Sequence, residues 1–311
     1  MIPATSTARA RLALQSTHPI ASESSLRANV RDLLALTKPS INVMVLVTAG
    51  GGIALAPHRP DWLTCICALL GTALIVGSAN SLNCYIERNV DKHMTRTMNR
   101  PLPAGRLQPS TALIFGIVLA AISIPLLFLT VNAMTAFLAA FALISYVGIY
   151  TPMKQMTPFA LLVGAVPGAM PPLMGWTAAT GELSAPGLVL FGILFLWQLP
   201  HFLAISLFRE SEYTRAGIKV YPATQGPQGT RWHAMAWAVA LVPVSLLLGP
   251  LGIAGALYTS VALLAGVVFV ASTVRHVDSE NVTPWGKKVF FTSLFYLPVI
   301  FAALALDVAI G

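Results

Sequence analysis

Charge is what this sequence has least of. Only 10% of its 311 residues are Asp, Glu, Lys or Arg, while 56% are hydrophobic and the mean hydropathy is +0.75. An average soluble domain carries about 25% charged residues, so a water-soluble globular protein is excluded. Cysteine is nearly as scarce, with three in the chain. Cys65 and Cys67 lie two apart within one apolar run and Cys84 is near its end. That pattern builds neither a disulfide framework nor a zinc site. Residues 1–30 lack the long apolar core of a secretory signal. Rich in Ser, Thr and Ala with scattered Arg, they read as a disordered cytoplasmic tail, although a mitochondrial transit peptide has similar composition. No short-period repeat or low-complexity block stands out.

What the chain has instead is apolar runs of about 20 residues, the length that crosses a bilayer core of roughly 30 Å. Nine are legible, at 32–55, 62–86, 111–130, 132–150, 158–178, 185–207, 232–249, 251–273 and 287–309. The expectation is an all-α integral membrane protein of nine transmembrane helices, with 31–311 as one membrane domain. The net charge of +8 then needs explaining. Of the 19 Lys and Arg, 18 fall before or at the start of the first span, or in alternate connections and the span ends beside them, leaving Arg59 alone on the other side. Cytoplasmic loops retain positive charge, so the excess is a topology signal and not a nucleic-acid surface. It puts the N-terminus in the cytoplasm and the C-terminus outside.

The connections at 130–132 and 249–251 leave room for little more than a turn. Polar residues concentrate in two cytoplasmic segments, 87–110 and 208–231, each following an even-numbered span, as two related halves would have them. The first reads NCYIERNVDKHMTRTMNRPLP from Asn83 to Pro103. Asn83, Glu87 and Asp91 are spaced four apart, and on one helix they form a stripe about 12 Å long. Oxygen-only ligands on one face suit Mg²⁺, which completes its shell with water and substrate phosphate. Lys92, Arg96 and Arg100 follow and can hold phosphate oxygens. The plainer alternative is a solvated helix end with routine ion pairs. The second segment supplies Arg209, Glu210 and Glu212, then Tyr213, Arg215 and Lys219. There Glu212 can bring a carboxylate to a second metal, or the whole can be a charged helix terminus. His201, after Pro200 in LWQLPHFLAI, can bond a carbonyl, ligate iron or face an aromatic substrate. Between the two segments, YTPMKQMTP (150–158) and GAVPGAMPPLMGW (164–176) predict a broken or kinked helix lining a cavity.

These same residues carry a resemblance. The Asn83, Glu87, Asp91 pattern followed by RTMNRPLPAG (96–105) resembles the first signature of the UbiA-type intramembrane prenyltransferases. TKPSI (37–41), YTPMK (150–154), GAMPPLMGW (168–176), WQLPHF (197–202) and EYTRAG (212–217) are similar to the members of that family that farnesylate haem. The resemblance covers about residues 30–305. It departs at Asn89, Gln155 and Glu212, where other residues are usual.

The resemblance implies a helix bundle around a central cavity opening to the cytoplasmic side of a bacterial inner membrane, or of the mitochondrial inner membrane. It implies transfer of farnesyl from farnesyl diphosphate to the 2-vinyl group of haem b, with Mg²⁺ as cofactor. Asn83, Glu87 and Asp91 would be the catalytic metal ligands, with Glu212 for a second metal. Arg96 and Arg100 would steady the leaving diphosphate. Lys92, Lys154, His201, Arg209, Glu212, Tyr213 and Lys219 would bind substrates. Loop Arg and Lys would pair with haem propionates, and His201 would orient the haem. Farnesyl diphosphate, haem b and the bilayer are the expected partners, with haem A synthase or terminal oxidase assembly factors as candidate protein partners. The alternatives are a related enzyme acting on a quinone precursor or chlorin, and a non-enzymatic transporter. Carboxylates gathered at one mouth disfavour the transporter, whose site must be reachable from both sides.

Overall fold

The computed structural model describes residues 23–310, which are helical with irregular connections and contain no strand. The expected N-terminal tail therefore lies outside the described residues up to position 22. The long helices are α1 (Glu23–Leu36), α2 (Pro39–Ala54), α3 (Trp62–Glu87), α4 (Pro109–Thr130), α5 (Ala133–Met153), α6 (Ala160–Thr180) and α7 (Ala185–Phe208). After the short α8 (Glu210–Arg215) come α9 (Tyr221–Leu246), α10 (Ala256–Val274) and α11 (Thr283–Ile310). Among the described residues, six of these helices are long and apolar enough to cross a membrane. The count is seven if α1 and α2, bent by 47° at their junction, make one broken span. The Pro-rich α6 and the more polar α9 fall outside that set.

Local chemistry sets the ends. Asp61 caps α3 by accepting hydrogen bonds from the backbone N–H of Leu63 and Thr64, and Asn132 caps α5 through the N–H of Thr135. Proline opens α2 and α4, where its missing N–H costs nothing. The turn between α4 and α5 is as tight as expected, but residues 247–255 form a longer connection than the sequence indicated. The break expected in the middle of the chain is present at 154–159, beginning within YTPMKQMTP, while α6 runs unbroken through Pro167, Pro171 and Pro172. The break is prepared by a π-helical stretch, Ser145–Tyr150, in α5. Such single widened turns are frequent at functional sites.

α6 is the central helix. Every residue from Ala169 to Ala178 is buried. Met170, Leu173 and Met174 pack toward α3, α4 and α5, while Ala169 and Trp176 pack toward α7, α9, α10 and α11. Between helices in lipid the hydrophobic effect is weak, so close approach and polar contacts must hold them. At the α3–α4 crossing Ser78 and Ser123 donate across to the carbonyls of Gly116 and Gly71, both at 2.7 Å. At the α2–α6 crossing a Cβ on Gly52 would lie 2.1 Å from the Pro172 carbonyl oxygen, and one on Gly175 would lie 1.9 Å from that of Ala49. Only glycine allows backbones that close. Meanwhile Ile114, Ile117, Phe128 and Leu129 of α4 stay exposed, as a lipid-facing surface requires.

Candidate active site

A cavity of about 1000 Å³ lies among α2, α3, α5, α6, α7 and α11, at the top of the usual range for ligand pockets. Its wall includes apolar side chains, among them Ile41, Val45, Ile75, Leu143, Pro167, Phe202 and Phe290. It also gathers Lys38, Asn83, Glu87, Asp91, Arg96, Arg100, Lys154, Arg209, Tyr213, Lys219 and Lys287. Seven cations therefore face two carboxylates, and the cavity's field favours an anion.

The stripe is brought together, but not on one helix. α3 ends at Glu87, where Arg88 turns back to donate to the Tyr85 carbonyl at 2.7 Å and occupies an unsatisfied helix end. Asp91 sits in a separate 3₁₀ turn, Asp91–His93, and still reaches the cavity. Each member is held from another element. Asn83 donates to the Thr151 hydroxyl and accepts from the Lys38 ammonium, both at 3.2 Å. Glu87 pairs with Lys154 at 2.8 Å, and the Lys154 ammonium lies 4.4 Å from the centre of the Tyr150 ring. Asp91, fully buried, accepts from Arg100 at 2.7 Å through one carboxylate oxygen. Its other oxygen, Oδ1, is buried with no hydrogen-bond partner.

That orphaned oxygen bears on whether a metal ion fits. Among the described residues no group of three or more His, Cys, Asp or Glu is placed to hold one. The donors present are hard oxygens from Asn83, Glu87 and Asp91, too few for an all-protein cage. They suit a Mg²⁺ ion that keeps water and takes substrate oxygens, and Asp91 Oδ1 is a ready ligand atom.

Three expected site residues stand elsewhere. Lys92 is exposed in the 3₁₀ turn and does not line the cavity. Glu212, expected at a second metal, has its carboxylate fully engaged within the protein. Oε1 accepts from the Thr95 hydroxyl at 2.5 Å and the Arg96 backbone N–H at 3.3 Å, while Oε2 accepts from Arg209 at 3.0 Å. The Thr95 hydroxyl first, then the Arg96 N–H and the Arg209 guanidinium, hold its pKa down at about 2. Glu212 is thus the clamp joining the two polar loops. The extrapolation of a continuous helix from His201 to Glu212 fails because α7 stops at Phe208. His201 itself is buried behind the cavity wall. Its Nδ1 is 2.7 Å from the Ser293 hydroxyl, and its ring stacks between Trp197 at 5.0 Å and Phe290 at 4.9 Å. It bonds a hydroxyl of α11, and not the carbonyl that Pro200 frees.

Sequence reasoning passed over several wall residues. Lys38 sits within TKPSI, at the N-cap of α2, as the one non-glycine residue with positive φ (51°) among those described. Such strained backbone clusters at functional sites. Tyr146 and Tyr150 enter the wall from the π-helical turn, and Gln198 from α7. Lys287 enters from the start of α11. In the sequence it looked like one more positive-inside charge, and nothing there distinguished it from Lys288.

A helical membrane bundle whose two polar loops bring cations and carboxylates to one partly apolar cavity is the arrangement of an intramembrane prenyltransferase. The chain belongs to the UbiA prenyltransferase family, whose pattern it matches over residues 44–295. It is 50% identical over 283 residues to the protoheme IX farnesyltransferase of Myxococcus xanthus, covering 91% of this chain and 96% of that one. It is also 50% identical over 276 residues to the enzyme of the same name from an Anaeromyxobacter species, covering 89% and 93%. The fold is shared with a digeranylgeranylglyceryl phosphate synthase at a TM-score of 0.77 and 16% identity, over 90% of this chain and 98% of that one. A UbiA homologue from Archaeoglobus fulgidus, solved with GPP and Mg²⁺, gives a TM-score of 0.64 at 16% identity, over 88% and 99%.

Proposed function

We propose that this enzyme transfers farnesyl from farnesyl diphosphate to the 2-vinyl group of haem b, giving haem O. The observation that carries the reading is one cavity lined by a cluster of cations and carboxylates as well as by apolar side chains, in a chain half identical to protoheme IX farnesyltransferases. The diphosphate lies against Arg96, Arg100 and Lys154, and the fifteen-carbon tail lies along Ile75, Leu143 and Pro167.

Asn83, Glu87 and Asp91 would hold Mg²⁺, as oxygen donors of this kind do when phosphate completes the shell. When bound, the ion acts as a Lewis acid that stabilises negative charge on the departing diphosphate. Arg100 and Lys154, which neutralise Asp91 and Glu87 in the free protein, are placed to share their positive charge with it. The allylic C–O bond breaks with its electron pair going to diphosphate. The vinyl group's terminal carbon supplies the pair for the new C–C bond. The cation left next to the macrocycle is captured by water, which loses a proton and leaves the hydroxyl. The apolar wall keeps other water away until then. Asn83 is held by Thr151 and Lys38, and the loop bearing Arg96 is held by Glu212, so the residues stand ready before substrates arrive.

The bundle has nine spans in a bacterial plasma membrane, with its N-terminus and the mouth of the cavity in the cytoplasm. The 18-to-1 division of basic residues supports this orientation. Product passes from there to haem-modifying or oxidase-assembly partners. Reporter fusions after Gly105 and after the final residue should lie on opposite sides, and the same side for both would refute nine spans. The activity itself is tested by incubating purified protein with haem b, farnesyl diphosphate and Mg²⁺ and weighing the haem by mass spectrometry. A gain of one farnesyl and one hydroxyl group is expected. Recovery of unaltered haem b would overturn the assignment.

A further inference from the structure

Two of the seven cations of the cavity stand apart from the rest. Of the others, Lys38 is held by Asn83, and Arg96 is assigned to the diphosphate. Arg100, Lys154 and Arg209 each lie 2.7–3.0 Å from a protein carboxylate. Lys219 and Lys287 line the same cavity, are exposed, and make no ion pair among the described residues. These two exposed ammonium groups, which no protein side chain holds among the described residues and the diphosphate does not need, are available to a further anionic part of a substrate.

Their backing is built. Gly286 packs so closely that a Cβ there would come 2.9 Å from the Phe208 ring and 3.2 Å from the Ala204 carbonyl oxygen. This seats the start of α11 on the end of α7 and fixes where Lys287 emerges. One turn further, Phe290 lines the cavity and stacks on His201, which Ser293 holds from behind. On the same cavity wall, the backbone of Lys219 is fixed by its N–H, which donates to the Lys154 carbonyl at 2.8 Å. The cavity thus holds a supported aromatic ring together with two free positive charges.

We propose that Lys287 and Lys219 bind the two propionate carboxylates of the acceptor and thereby decide which edge of the macrocycle faces the allylic carbon. This rests on the acceptor being haem b. Its carboxylates lie on one edge and its vinyl groups on the opposite side, so anchoring the first presents the second. His201 keeps the aromatic surface in place from behind and does not touch the acceptor.

The test uses the full-length protein in detergent, haem b, and haem b dimethyl ester, whose carboxylates are masked. Binding is read from the Soret band without farnesyl diphosphate, so the result stands whether or not farnesyl is transferred. Lys287→Gln should weaken haem b binding about fivefold, the value of one solvent-accessible ion pair. Lys219→Gln should act similarly, while KM for farnesyl diphosphate and thermal stability stay unchanged. Wild-type protein should bind the ester more weakly than haem b, and the double variant should bind the two alike. Equal wild-type affinity for haem b and its ester, or a variant that loses the same factor for both, would overturn the proposal. Absence of haem binding by the wild type would overturn it together with the assigned acceptor. Intact binding with no farnesylated product would count against the reaction alone.

Discussion

Replacing Gly175 by Ala adds one methyl group and sets two effects against each other. Alanine is the better helix former by about 1 kcal/mol, so an isolated helix would be strengthened. At the α2–α6 crossing, however, the new Cβ would lie 1.9 Å from the Ala49 carbonyl oxygen and 2.8 Å from its carbon. The helices must part by about 1.1 Å even to reach 3.0 Å, tighter than real Cβ atoms normally pack. Both obstacles are backbone, so no rotamer change relieves the clash. Overpacking of this kind costs typically 1–3 kcal/mol, and the rigid partners put it at the upper end. The net expectation is a loss of about 2 kcal/mol. At Gly50, also helical, a Cβ would meet nothing within 4 Å, so Gly50→Ala should gain up to about 1 kcal/mol. The two isomeric proteins should therefore differ by about 3 kcal/mol. Thermal unfolding in detergent with a thiol-reactive dye reads this directly, because Cys67 and Cys84 are buried and unpaired. Turnover should fall too in Gly175→Ala, since α2 and α6 both form cavity wall. A melting temperature equal to or above that of Gly50→Ala would refute the reasoning.

Glu87→Gln and Asp91→Asn should each lower turnover by about 10²–10³, the usual cost of one well-placed electrostatic group. Folding should be kept and the loss should be steepest at limiting Mg²⁺; near-normal rates in both would reduce the stripe to an ion-pair network. His201→Ala removes a stacked ring and its contact with Ser293, so stability should fall by about 1–3 kcal/mol. Both substrates should weaken together, whereas selective loss of haem binding would place the imidazole in the site after all. Glu212 has a folded pKa of about 2 against an ordinary 4.5, so its stabilisation is complete above pH 4.5 and fades as pH falls toward 2. The stability difference between wild type and Glu212→Gln should accordingly be flat from neutral pH down to about 5 and shrink below; a difference that changes between pH 8 and 6 would show another group at work.

Composition and hydropathy were enough to establish a multi-span helical membrane protein. Lipid satisfies no backbone polar group, so long apolar runs have one structure open to them. Motif spacing was enough for the family, because RTMNRPLP and WQLPHF record local chemistry that does not depend on knowing the fold. Asn83, Glu87 and Asp91 were legible as a group for the same reason, although the helix they were drawn on ends at Glu87. Tertiary structure alone decided the partners. Glu212 looked like a ligand because its charge was visible and Thr95, 117 positions away, was not. His201 looked like a haem contact because Ser293, on another helix 92 positions on, could not be foreseen behind it. Lys287 looked like a loop charge until Gly286 seated it against α7. Sequence carries the periodic and the local, which follow from hydrogen bonding and lipid within one segment. Which two segments meet, and so whether a carboxylate is a ligand or a clamp, is fixed only when small residues such as Gly52 and Gly175 let the helices close.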